Sequence, residues 1–194
     1  MRKMLTILAL AATILGCGSA VEARQTKKKG KANTSRSASS KVMKSDVITG
    51  DFDGDGKIDK LWYEAPCNSD GFAEGKIRIC SDNPKLAFTY GDGPAGLAME
   101  VLGKLGGVDR DLLQIIPYGE AGCWNLVETY VFKNGKWQSA VEPFDLWSCD
   151  EENPYGVVKA KSGRDGYVGI YYNDMDADED EMYERQYKEE RINF

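Results

Sequence analysis

Residues 50–59 read Gly50-Asp51-Phe52-Asp53-Gly54-Asp55-Gly56-Lys57-Ile58-Asp59. Four carboxylates this close repel one another, and a divalent cation lets them coexist. Calcium takes about six to eight hard oxygen ligands in a flexible cage. Asp51, Asp53 and Asp55 alternate, so in a tight loop their side chains converge from one side. Gly56 permits the sharp turn that follows. The backbone carbonyl of Lys57 comes next, and Asp59 closes the cage directly or through water. Ile58 is expected to plug the loop into the core. Magnesium is less suited, because it demands rigid octahedral geometry. A catalytic ion needs an open position and a nearby acid or base. The sequence singles out neither, so the ion is read as structural. The competing reading is an acidic, glycine-rich surface turn.

The rest of the composition narrows the chemistry. The chain has 194 residues and no His, which excludes histidine bases, Ser-His or Cys-His nucleophiles and His-ligated zinc. Residues 1–45 carry ten of the 25 Lys+Arg and one of the 31 Asp+Glu. That leaves 15 basic against 30 acidic residues over 46–194, a net charge of −15. Such a domain repels nucleic acid and attracts cations or basic partners.

The elements that must position the loop are strands. Lys76-Ile-Arg-Ile79 alternates polar and apolar residues, and Leu126–Phe132 is rich in β-branched and aromatic ones. Asn134-Gly135 then signals a hairpin into Trp137, because both turn positions need positive φ. Leu112–Ile116 reads as a buried strand ending at Pro117. Tyr155–Ala160 and Tyr167–Tyr172 flank a second hairpin. Met182–Arg191 reads two ways: Tyr183 and Tyr187, four apart, suit a helix, while a last strand ending at Ile192-Asn-Phe194 and paired with Tyr167–Tyr172 is the favoured expectation. Helix-length apolar periodicity is nearly absent. An all-β fold follows: a small, irregular antiparallel domain over residues 46–194.

The N-terminal residues read as an address. Arg2 and Lys3 precede an apolar run from Leu5 to Leu15, too short to span a bilayer and suited to a signal peptide. Ile14-Leu15-Gly16-Cys17 resembles a bacterial lipobox. The resemblance implies that residues 1–17 end at a lipidated Cys17 and that the chain is a lipoprotein. It would be anchored to a bacterial membrane, facing periplasm or cell surface. Ordinary cleavage near Ala20 or Ala23, giving a soluble periplasmic or secreted protein, is the alternative. Residues 18–45, rich in Lys, Ser and Ala, have almost nothing to bury and read as a disordered basic linker.

Export favours disulfides. Cys67, Cys80, Cys123 and Cys149 form an even set with three pairings. Cys67–Cys80 with Cys123–Cys149 is favoured, since each pair brackets a short segment.

The acidic loop resembles the FG-GAP or VCBS-type repeats of bacterial cell-envelope proteins and integrin-like β-propellers. In those repeats one strand enters Gly-Asp-x-Asp-Gly-Asp-Gly-x-x-Asp and another leaves. The resemblance covers about residues 46–66. It implies a β-propeller-like domain with Asp51, Asp53, Asp55, Lys57 and Asp59 as calcium ligands. It departs from an EF-hand, whose Glu at loop position twelve is replaced by Trp62. An affinity of about 10⁻⁴ M or somewhat tighter is expected. A degenerate echo, without the alternating Asp residues, runs from Gly103 to Pro117, and a fainter one from Ser162 to Ile170.

Two other features stand out. Asp174, Asp176, Asp178 and Asp180 alternate without a turn glycine and read as a solvated hairpin loop, with a second ion as the lesser alternative. Trp62, Trp124, Trp137 and Trp147 are candidates for a glycan-stacking platform, with core packing as the competing use. The functional expectation is a non-catalytic, calcium-binding exported module for a protein or glycan ligand. The alternative is an acidic inhibitor or partner of a cationic cell-wall hydrolase such as lysozyme, because opposite charge steers association. A glycosidase using paired carboxylates is the third reading.

Overall fold

The computed structural model describes residues 41–91, 94–119, 123–147, 158–160 and 165–194. The expected signal peptide, Cys17 and the linker as far as residue 40 lie outside these residues, as does Cys149. Among the described residues no helix is long and apolar enough to cross a membrane.

Thirteen strands form three open antiparallel sheets among the described residues. The first sheet holds β1 (Val42–Lys44), β2 (Ile48–Gly50), β3 (Asp59–Pro66), β4 (Ile77–Ser81) and β5 (Phe88–Gly91). The middle sheet holds β6 (Gly96–Gly103), β7 (Leu112–Tyr118), β8 (Trp124–Lys133), β9 (Lys136–Ser139) and β10 (Phe144–Trp147). The third holds β11 (Val158–Ala160), β12 (Tyr167–Tyr172) and β13 (Gln186–Arg191). None closes into a barrel. Strands neighbouring in sequence mostly neighbour in space, the up-and-down connectivity also found in a propeller blade. β1 and β2 share one edge of β3, and β9 and β10 likewise share one edge of β8.

The pattern of burial explains the layering. On β3 the alternating residues Leu61, Tyr63 and Ala65 are buried. β7 is buried on both faces, which is why Leu112–Ile116 is nearly continuous in apolar residues. Leu113 and Ile115 join a core with Phe52, Leu61, Ile77 and Ile79 of the first sheet and its loops. Leu112 and Ile116 join a second core with Val168 and Ile170 of the third sheet. The middle sheet therefore has one core on each face, as period-two side-chain alternation requires. Asn134 (φ 53°) and Gly135 (φ 77°) make the expected tight turn between β8 and β9. β12 and β13 pair from Tyr167↔Arg191 to Tyr172↔Gln186, so the expected last strand forms and stops at Arg191.

Two expectations need correction. β1 lies inside the segment read as linker through residue 45, with Val42 facing Pro66 and Lys44 facing Glu64. The folded region thus starts before residue 46, because Val42-Met43-Lys44 pairs along the open edge of β3 and Met43 packs against the core. Cys67 and Cys80 are free thiols and do not bridge. The register is the reason. Cys80 faces Trp62, whereas Cys67 faces Ala73 across an isolated bridge. Trp62 and Cys67 are five residues apart on one extended segment, about 16 Å at the strand rise. A disulfide needs Cα atoms within about 7 Å. Cys67 Sγ instead donates to the Lys41 carbonyl at 3.2 Å. Cys123 is disulfide-bonded.

Candidate metal centre

The acidic loop is the connection of the β2–β3 hairpin. Gly50 faces Asp59 in the register, so residues 51–58 bulge out between them. Gly54 (φ 76°) and Gly56 (φ 82°) take left-handed backbone that a side chain would disfavour, and this lets the loop turn twice within a few residues. The aspartates brace their own turns. Asp53 Oδ1 accepts from the Asp55 amide at 3.1 Å, and Asp55 Oδ1 from the Lys57 amide at 2.8 Å. Asp51 Oδ1 accepts from the Gly56 amide at 3.2 Å across the loop. This folding back brings one carboxylate oxygen from each of Asp51, Asp53 and Asp55 to within 4.8 Å of one another. Asp51 is buried and Asp55 exposed, so the trio opens from the core toward solvent. Three hard, anionic oxygens at this spacing can hold a metal ion.

Two lysines offset the negative charge. Lys104 Nζ lies 3.0 Å from Asp51 Oδ2, and Lys57 Nζ lies 2.9 Å from Asp55 Oδ2. The Lys57 side-chain hydrogen bond holds the Asp55 carboxyl below the ordinary carboxylate range, and the same bond raises Lys57. Both are exposed surface groups.

Asp59, the fourth expected carboxylate, stands beside the trio. It is buried at the start of β3, where its Oδ2 accepts from the Phe52 amide at 3.3 Å. Its Oδ1 accepts from Asn83 Nδ2 at 2.9 Å, and the same amide nitrogen donates to Asp53 Oδ2 at 3.0 Å. Asn83 therefore ties Asp59 to the loop. Lys57 sits at the exposed tip with both its amide and its ammonium on Asp55. Ile58 does not plug the core. It is 66% exposed, and Phe52 fills that role at 0% exposure, edge-on to Trp137 at 5.9 Å. In a loop with two left-handed glycines the inward residue is not set by strand alternation.

The degenerate echo at residues 103–117 supplies contacts that sequence reading missed. Lys104 lies there, as does Asp111, whose Oδ2 accepts from the Asp51 amide at 2.7 Å. Arg110 lies against Gly54, where a Cβ would meet its Nη2 at 3.0 Å, and donates to the Phe132 carbonyl at 2.7 Å. The echo thus packs on the loop it resembles.

No family model, curated protein or solved structure matches this chain. The character of the site accordingly rests on its own geometry.

Other candidate residues scatter. Among the described residues Asp174–Asp180 gathers no comparable trio. The four tryptophans do not make one platform. Trp137 is packed among Phe52, Phe88 and Phe132, with its Nε1 donating to the Leu86 carbonyl at 2.8 Å. Trp62 lies on the other sheet under Lys44, whose Nζ is 4.5 Å from the ring centroid. Only Trp124 and Trp147 adjoin, as cross-strand partners on β8 and β10.

Proposed function

We propose that this chain is a non-catalytic, calcium-binding exported module that presents its β domain as a binding surface. The observation that carries the reading is the convergence of Asp51, Asp53 and Asp55 on a hairpin loop whose base is pinned to the core by Phe52. Calcium suits the site better than magnesium because the loop can supply flexible oxygen ligands. The Lys57 carbonyl and Asp59 are the proposed completing ligands, in line with the FG-GAP or VCBS-type spacing. The ion is structural in this reading: it neutralises the loop and fixes β2 against β3. Lipidation of Cys17 with anchoring at the cell envelope belongs to the same proposal, and mass spectrometry of the mature N-terminus tests it. Thermal unfolding of the chelated protein, before and after calcium addition, tests the ion. A rise in melting temperature that saturates with calcium is expected, since an ion bound to the folded state alone stabilises it by mass action. Equal melting in chelator and in millimolar calcium would remove the proposal.

A second reading is favoured by charge. The net −15 over residues 46–194 suits a partner or inhibitor of a cationic cell-wall hydrolase such as lysozyme.

A further inference from the structure

Among the described residues, no element covers one end of a face of the middle sheet. On β8, Tyr130 and Phe132 point into the core shared with the first sheet. Period-two alternation places Glu128, Leu126 and Trp124 on that same face. The first sheet reaches as far as Tyr90, whose hydroxyl donates to Glu128. Beyond it Leu126 is 46% exposed. Opposite these residues β10 sets Asp145 against Leu126 and Trp147 against Trp124. The connection between β12 and β13 then brings Tyr183 onto the patch. Its ring centroid lies 4.8 Å from that of Trp147, and Tyr183 remains 50% exposed. That connection is also the acidic run Asp174–Glu181, exposed over most of its length. Among the described residues Arg185 brings a cation to the patch: its Nη2 donates to the Trp147 carbonyl at 3.5 Å.

We infer that this aromatic and acidic face, centred on Trp124, Leu126, Trp147 and Tyr183, is a docking surface for a cationic protein. The assignment rests on the second reading above and does not depend on the metal. Charge complementarity selects the occupant. An apolar centre with a carboxylate rim suits Lys or Arg side chains, whose stems cover Leu126 while their heads meet the rings and Asp145. Aromatic anchors inside a polar rim are the usual anatomy of a protein interface. A sugar needs a flat ring to stack on. Here Trp124 and Tyr183 lie at 30° to each other, but Trp147 stands edge-on to both at 65°, which interrupts any broad platform.

The test is calorimetric titration of the full chain, in calcium, with lysozyme and with a short Lys/Arg peptide as cationic probes. A chitin oligosaccharide serves as the glycan control. Saturable binding of a cationic probe is expected at low salt, weakening as salt rises. Leu126→Lys and Tyr183→Ser, both at exposed positions, should each weaken it about tenfold at unchanged melting temperature. Failure of both probes to bind, or equal binding by the variants, overturns the assignment. Binding of the oligosaccharide alone, lost in Leu126→Lys, overturns it in favour of a glycan. Calcium titration of the same variants keeps the two proposals apart: intact calcium binding with lost probe binding isolates the face, and the reverse isolates the loop.

Discussion

The Asp111 carboxylate accepts a hydrogen bond from the Asp51 amide at 2.7 Å, joining two loops 60 residues apart in the chain. The same carboxylate occupies the space beside Gly50, where a Cβ would come within 2.8 Å of its Oδ2. The first aspartate of the candidate metal loop is thus positioned by the β6–β7 connection as well as by its own hairpin. Replacing Asp111 by Ala leaves a part-buried amide without its acceptor. A loss of about 1–2 kcal/mol in folding stability is expected, with weakened metal affinity. Denaturant unfolding and metal titration of Asp111→Ala measure both. Unchanged values for both would show that the contact positions nothing.

Phe52 and Ile58 make a matched pair of tests. Phe52 is fully buried between the two sheets, so Phe52→Ala should cost about 3–5 kcal/mol through lost burial and a residual cavity. Ile58 is mostly exposed, so Ile58→Ser should stay within about 0.5 kcal/mol. Urea unfolding of both variants decides, and a reversed order would mean that Ile58 anchors the loop after all.

The hairpins were legible because their signals are local. Asn134-Gly135 demands a turn by backbone chemistry alone, and alternation in Lys76–Ile79 and the β-branched and aromatic run Leu126–Phe132 mark strands without reference to any partner. The Asp51–Asp55 trio was legible for the same reason, since alternate aspartates in a glycine-rich loop brace each other over two residues. Asn83, Lys104 and Asp111 were not. They meet the loop from 24 to 60 residues away, and the register that delivers them is fixed by the packing of whole sheets. The Cys67–Cys80 expectation failed on the same ground: an even cysteine count says nothing about which residues face each other across β3 and β4.

That register gives a direct chemical test. Peptide mapping of the unreduced protein should find Cys67 and Cys80 alkylated separately after denaturation, with Cys123 protected in a disulfide. A bridged Cys67–Cys80 peptide would require β3 and β4 to pair differently from the register found here.

Tyr90 and Tyr130 set an alkaline limit. Burial is the main cause, with Glu128 adding to it, and both phenols are pushed above their ordinary pKa of 10.0. The folded domain therefore keeps protons that the unfolded chain releases. Their contribution to stability is complete below about pH 10 and is lost as pH rises past it. Melting temperatures measured from about pH 9 to about pH 11 should fall, and Tyr130→Phe should flatten the decline. A slope identical in wild type and variant would assign the alkaline loss to other groups.

Calcium titration of the chelated protein beside Asp53→Asn/Asp55→Asn tests the central claim most directly. The account predicts one saturable site at about 10⁻⁴ M or somewhat tighter in the wild type, and loss of that heat in the double variant, which keeps the fold. Absence of binding by the wild type in millimolar calcium, or equal binding by the variant, would contradict it.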